Sequence, residues 1–384
     1  MLTFAVAPAS ALTSDRIRPP MSRTSHLPLP VSVEEITADW LTAALRIRAP
    51  GVTVRDVQLV DVNHSTTTKI RLRLDCDEAG KRAGIPELVI LKGGFEPHSR
   101  NVEITNMHEK EVRGYRDVFP VMPLPTPACY FADYDPERRQ GVIIMEDLVA
   151  RGVSFCHATR PQTHEQVAQR LTSLARFHAG SWDSRDVAAG GKWAYLDEFL
   201  VSMQPFFAHY VSPEHWSRFV AAPRGAAVST RFHDRDWMED AFGRMVRFSQ
   251  SLPQCVLHGD IHLGNLYIDR DGTPGFFDTL ASRGPGMLEV SYHVSAALDA
   301  ADRRRSEGAL VQHYLEELSR NGVEPPPFDE AMRQYAILLL YGFFIWMTTE
   351  SHYQTESVNT ANAARVSAAM LDHDVIGLLE AIPA

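Results

Sequence analysis

One feature constrains this chain of 384 residues more than any other: its hydrophobic period changes near Leu148. Before that point, VTVRDVQLVDV (52–62) and TTTKIRLRLDC (66–76) alternate apolar and polar side chains, the pattern of half-buried strands in an antiparallel pair. ELVILKGG (87–94) reads as a third strand, apolar until Lys92. ACYFADYD and GVIIMEDL read as two more, joined by the charged turn PERRQ. Two helical segments interrupt the strands. They are VSVEEITADWLTAALR (31–46), with Ser32 as the candidate cap, and NVEITNMHEKEVRGYRDVF (101–119). After Leu148 the apolar residues recur at helical spacing. THEQVAQRLTSLARFHAGSW (163–182) is a long amphipathic helix, and 194–250 carries further helices with aromatic faces. From 286 onward the pattern is helical except at NGVEPPPFD. This order predicts an α+β chain of two lobes, 31–148 built on an antiparallel sheet plus helix and 149–384 mostly α-helical, with the boundary near 148–152. Residues 1–30, rich in Pro, Ser and Thr, read as a disordered tail, with Met1 or Met21 as the start.

Charge and hydropathy narrow the function classes. The 38 Lys and Arg against 48 Asp and Glu leave a net charge of −10, which argues against a nucleic-acid partner. The longest apolar run, AILLLYGFFIWM (336–347), falls short of the ~18 residues of a membrane span and reads as a buried helix. The N-terminus lacks the basic stretch of a signal peptide. Cys76, Cys129, Cys156 and Cys255 are scattered without a CxxC pair, so reduced, buried thiols are expected. Together these features predict a cytoplasmic protein with no membrane partner, and they leave monomer and homodimer open.

The chemistry concentrates in VLHGDIHLGNLYID (256–269). If 257–263 were extended, His258, Asp260 and His262 would project on one face as ligands for zinc or iron, the start of a metal-dependent hydrolase. A plainer reading is a hydrogen-bonded turn whose polar side chains satisfy buried backbone. The third reading is phosphoryl transfer. Asp260 precedes Asn265 at the spacing of the protein-kinase catalytic loop, H-x-D-x-x-x-x-N. A hairpin follows (LYID, RDGTP, GFFD) and delivers Asp278 after two phenylalanines. In this reading Asp260 accepts or orients the proton of an attacking hydroxyl, while Asn265 and Asp278 hold Mg²⁺ against nucleotide phosphates. The first lobe must then supply a strand lysine and a glutamate on the next helix. Lys92 ends LVILK, and Glu111 lies in HEKEVRGY with Glu109 as its rival.

On these residues the chain resembles the aminoglycoside phosphotransferase and choline kinase superfamily, and within it the ecdysteroid kinase-like group, over roughly residues 55–320. HGDIHLGN (258–265) is similar to that family's HGDxHxxN signature. VIIMEDL (142–148) is similar to its adenine-binding hinge, and LARFHAGSW (174–182) to the helix after the hinge. The resemblance implies a bilobal protein-kinase-like fold, ATP as donor, Mg²⁺ as metal and a small hydroxyl-bearing acceptor. It implies Asp260 as catalytic base, Lys92 and Glu111 as the phosphate-holding pair, and Asn265 and Asp278 as metal ligands. His258 and His262 would brace the loop, and Met145, Glu146 and Leu148 would meet the adenine. Ser65, Thr66 and Thr67 would face the phosphates from NHSTTTK (63–69). That loop has no glycine where the family has a Gly- or Ser-rich one. Thr279 stands where an aromatic is frequent, and Glu289 where an aspartate is usual. An inactive nucleotide-binding relative is the alternative. The aromatics of KWAYLDEFL, FFAHY, EHWSRF and YGFFIWM predict an acceptor pocket with apolar walls. Such a pocket suits a bulky alcohol, steroid-like or macrolide-like, better than a polycationic aminoglycoside.

Overall fold

The computed structural model describes residues 27–383 except 65, 66, 97, 98, 100 and 101, and of 102–105 the backbone only. Ser65, Thr66 and most of the expected N-terminal tail, with both candidate start residues, lie outside the described residues. Helix α1 (Ala38–Arg46) is capped by Thr37, whose side chain accepts from Trp40 N at 3.2 Å. Ser32 does not cap it. The chain makes a separate 3₁₀ turn at Val33–Glu35 and returns to extended backbone only at Thr37.

Strands β1 (Val54–Asn63), β2 (Thr68–Cys76), β3 (Leu88–Gly93), β4 (Cys129–Asp135) and β5 (Gln140–Glu146) form one antiparallel sheet in the order β1-β2-β3-β5-β4. The short helix α2 (Glu78–Arg82) joins β2 to β3, and α3 (Val102–Arg113) joins β3 to β4. Period-two burial on β2 sends Ile70, Leu72 and Leu74 into a core shared with Leu41 and Leu45 of α1. Lys69 and Arg71 are left on the opposite face. The expected helix 101–119 is α3 followed by a π-helical turn, Gly114–Val118. That turn begins at the residue whose missing side chain lets the backbone approach Thr279: a Cβ on Gly114 would lie 2.4 Å from Thr279 Cγ2.

The remaining chain packs around a second core. It contains α4 (Leu148–Arg151), β6 (Ser154–Phe155), α5 (His164–Ala179), α6 (Phe199–Ser202), α7 (Gln204–Tyr210), α8 (Pro213–Ala221), α9 (Pro223–Ala226) and α10 (Arg235–Gln250). Then come β7 (Cys255–Leu257), β8 (Leu266–Ile268), β9 (Pro274–Phe276), β10 (Ser282–Gly284), α11 (Gly286–Ala297), α12 (Ala300–Arg320), α13 (Phe328–Thr348), α14 (Glu356–Asp372) and α15 (Val375–Glu380). Thr163 opens α5 with a capping box closed by Gln166. The expected hairpin is β8–β9, joined on its outer side by β6. Helix α11 is buried along its whole length, and α13, which holds the apolar run 336–347, is buried nearly so. Their all-round apolar surface marks core helices. Among the described residues no helix is long and apolar enough to cross a membrane. The four cysteines are buried and free.

Candidate active site

The loop after β7 turns at Gly259, whose φ is 91° and where a Cβ would lie 2.3 Å from Leu280 O. Only glycine tolerates both conditions. Because of this turn, 257–263 is not extended, and His258, Asp260 and His262 do not share a face. That overturns the metal-cage expectation. Among the described residues no three His, Cys, Asp or Glu side chains converge as a metal site. His258 points into the core, stacked on Phe119 (centroids 6.3 Å) and against Phe276 (5.9 Å). Its Nδ1 accepts from Asp260 N at 3.3 Å. Burial pushes its imidazole down to about 4, so it stays neutral. His262 Nδ1 accepts from Gly264 N at 2.9 Å, capping the 3₁₀ turn Leu263–Asn265. Both histidines thus accept from backbone N–H groups of the loop. Asn265 Nδ2 donates to Asp260 Oδ2 at 2.8 Å and to Asp260 O at 3.0 Å, and this holds the aspartate in the cleft. Burial raises the Asp260 carboxyl above the ordinary aspartate range, against the pull of His262 and Asn265.

Two residues outside 258–265, Glu289 and Thr279, hold this loop in place. Glu289 on α11 accepts from Gly259 N at 2.6 Å and His258 N at 3.4 Å. His178 on α5 contacts the same carboxylate at 2.8 Å and Tyr314 Oη at 2.8 Å through its other ring nitrogen. Thr279 Oγ1 donates to His258 O at 2.7 Å. A hydroxyl in that position ties the segment after Asp278 to the loop, which an aromatic would not do.

The charged centre joins the two parts of the chain. Lys92 Nζ on β3 stands 2.7 Å from Glu111 of α3 and 3.0 Å from Asp278 Oδ1. The rival Glu109 turns away and pairs with Arg113. Burial alone would discharge Lys92, but Asp278 and Glu111 overrule it and hold the ammonium charged. Asp278 is pushed up by burial and pulled further down by Lys69 and Lys92, so its carboxylate is ionised. Its backbone is left-handed, φ 55°, a conformation aspartate tolerates better than most residues. Phe277 N donates to Asn265 O at 3.0 Å and Leu280 N to His258 O at 2.8 Å, so Asp278 is fixed relative to Asn265. Lys69 of β2 is the residue that sequence reasoning missed. Its Nζ lies 3.0 Å from Asp278 Oδ2. The signal was present in the alternation of β2, which puts Lys69 on the face opposite Ile70 and Leu72.

These groups line a cleft of about 330 Å³ together with Thr67 and His262. Its wall also carries the aromatics Phe199, Phe206, Tyr210, Tyr292, Tyr341 and Trp346. Tyr292 Oη and Trp346 Nε1 are buried without hydrogen-bond partners among the described residues. Glu350, at the same wall, is held by Arg218 at 3.0 Å. Of the expected hinge residues, Met145 packs beneath α3 with Val112 and Tyr115, and Leu148 is buried. Glu146 Oε2 accepts from Ala128 N at 3.2 Å and pairs with Arg151 at 3.1 Å. Asp147 caps α4 and pairs with Arg71 at 2.8 Å. The side chains of Glu146 and Asp147 are thus committed within the protein.

The model of the ecdysteroid kinase-like family matches residues 63–322. Among solved structures, a choline kinase from Cryptosporidium parvum Iowa II aligns with a TM-score of 0.51 at 8% identity, covering 87% of this chain and 94% of that one. An ethanolamine kinase from Plasmodium vivax aligns with a TM-score of 0.48 at 11% identity, over 84% and 83% of the two chains. An aminoglycoside-3'-phosphotransferase of type VIII aligns with a TM-score of 0.43 at 16% identity, over 79% and 98%. No curated protein matches the sequence. The fold is kinase-like, an antiparallel five-stranded sheet followed by a helical C-terminal part.

Proposed function

The chain belongs to the ecdysteroid kinase-like family, and on that basis we propose that it transfers the γ-phosphoryl group of ATP to a hydroxyl of a small, uncharged, largely apolar acceptor. One observation carries the reading. A lysine–glutamate–aspartate centre (Lys92, Glu111, Asp278) and an aspartate–asparagine pair (Asp260, Asn265) face the same cleft, whose far wall is aromatic. Residues 31–148 form the nucleotide lobe in this proposal. Residues 149–384 supply the catalytic loop and the acceptor pocket, with the boundary at 148–152.

The oxygen donors suit Mg²⁺. Asp278 is ionised, and Asn265, its amide nitrogen committed to Asp260, offers its carbonyl oxygen. Bound there, the metal would neutralise charge on the transferring phosphates. Lys92, locked by Glu111, holds the α- and β-phosphates. The backbone of 145–148 meets the adenine, because the Glu146 and Asp147 side chains are already paired. Thr67 lines the cleft on the phosphate side. Asp260 orients the acceptor hydroxyl and takes its proton late. Its raised affinity for a proton suits that task.

The aromatic wall selects the acceptor. Among the cleft carboxylates, Glu111 and Asp278 are neutralised by lysines and Glu350 by Arg218. A polycation therefore finds little to bind beyond Asp260. A bulky alcohol buries apolar surface against this wall instead. The test incubates the purified chain with ATP and Mg²⁺ and a panel of lipophilic alcohols and aminoglycosides, with phosphorylated product read by mass spectrometry. Phosphorylation of lipophilic alcohols that vanishes in Asp260→Asn supports the proposal. Turnover of aminoglycosides alone would overturn the acceptor class. Nucleotide binding with neither transfer nor ATP hydrolysis would overturn the enzyme reading in favour of a binding module.

A further inference from the structure

We propose that Lys69 is a second phosphate-binding lysine that also guards the metal site, holding Asp278 while the cleft is free of nucleotide and passing to the phosphates when nucleotide and metal arrive. The inference rests on the phosphotransferase reading and extends it.

The β2–β3 register pairs Lys69 directly with Lys92. Two like charges opposite one another across a ladder repel. The arrangement stands because Asp278 lies between them and gives one carboxylate oxygen to each, both at 3.0 Å. The two lysines differ in what else holds them. Lys92 is buried and keeps Glu111 as a second partner. Lys69 is about one-third exposed, and among the described residues its ion-pair partner is Asp278 alone. A cation that takes the oxygens of Asp278 therefore displaces Lys69 and leaves Lys92 anchored. The displaced ammonium needs an anion within reach of the same spot, and a polyphosphate held by that metal supplies one.

Two further features fit this exchange. The loop 63–69 has no glycine, so it lacks the residue that lets backbone N–H groups approach phosphate closely, and a long cationic side chain can substitute. His108 lines the cleft at this end, is buried, and has no partner on either ring nitrogen among the described residues. Burial holds that ring neutral, so the positive charge at this end of the cleft comes from Lys69 and Lys92.

The exchange predicts opposite effects on two ligands, which a structural role does not. In the full-length Lys69→Met variant, Mn²⁺ alone, followed by electron paramagnetic resonance, binds several-fold more tightly than to wild type because Asp278 is unmasked. ATP in EDTA, followed by calorimetry, binds roughly tenfold more weakly because a charge-assisted contact is gone. Lys69→Arg keeps charge and reach and restores both affinities to within about threefold of wild type. Unchanged or weaker Mn²⁺ binding in Lys69→Met, or unchanged ATP binding, would overturn the role. Should wild type bind no nucleotide at all, the phosphotransferase reading falls and this inference with it. Wild-type binding beside an unaffected Lys69→Met removes the Lys69 role alone. If Lys69→Met fails to fold, Lys69→Gln carries the same two measurements with a polar chain of similar length.

Discussion

Glu289 Oε1 accepts the backbone N–H of Gly259 at 2.6 Å, so a carboxylate on α11 sets the turn that opens the loop 258–265. The Gly259 turn has no room for a Cβ, and His178 fixes the same carboxylate from α5. Loop geometry is thereby tied to helices α5 and α11.

Removing that carboxylate orphans buried donors. Glu289→Ala is expected to lower the unfolding free energy by about 3 kcal/mol, read from urea denaturation. In an active preparation it lowers kcat far more than it raises KM for ATP, because it positions the loop and touches no nucleotide.

The same residue sets a pH dependence. Burial alone would raise the Glu289 carboxyl, but His178, His258 and the Gly259 N–H hold it below its ordinary 4.5. A depressed folded-state value means the stabilisation is complete above the unfolded value and is lost as pH falls through the folded one. Wild-type stability should therefore decline below about pH 4.5 more steeply than that of Glu289→Gln. Parallel declines in the two proteins would sink this assignment.

Asp260→Asn is expected to cut kcat by roughly 10²–10⁴ while nucleotide binding persists. Because burial raises the wild-type carboxyl, activity should fall with decreasing pH at a value above 3.8, the ordinary aspartate figure. A pH profile of kcat/KM without an acid limb there would remove Asp260 from the role of base.

Asp278→Ala separates metal from nucleotide. It should abolish Mg²⁺-dependent thermal stabilisation by ATP. ATP in EDTA should bind at least as tightly as to wild type, since Lys69 and Lys92 lose their shared anion. Retained Mg²⁺ dependence would mean that Asp278 is not the ligand.

Gly114→Ala tests the seam between α3 and the catalytic segment. The added methyl would sit 2.4 Å from Thr279 Cγ2, and the clash should cost about 1–3 kcal/mol. Thr279→Ser removes that methyl and keeps the hydroxyl that bonds His258 O. The double variant should recover most of the loss in a thermal melt, and a merely additive double variant would refute the contact.

How far the site was legible depended on distance along the chain. The proximity of Asp260, Asn265 and Asp278 was readable because one loop and one hairpin carry all three, and that of Lys92 and Glu111 from strand and helix order. Lys69 was not. Alternation placed it on one face of β2, but its pairing with Lys92 is a matter of register, and Asp278 lies 209 residues away. The metal-cage expectation failed for a local reason, since it assumed extended backbone where Gly259 turns the chain. The Ser32 cap failed similarly, because a separate 3₁₀ turn delays the helix to Thr37. Thr279 and Glu289 read as weakening departures because their hydrogen-bond partners, Gly259 and His258, come near them only in the folded chain.

By itself, then, the sequence determined the order of strands and helices, the catalytic-loop spacing and the apolar character of the C-terminal helices. All of these follow from periodicity and short-range backbone preference. The tertiary structure alone decided that Glu289 holds Gly259 and that two lysines share Asp278. Those contacts join segments far apart in the chain. They are selected by the cost of leaving a buried donor or charge without a partner, which only the folded packing can assign.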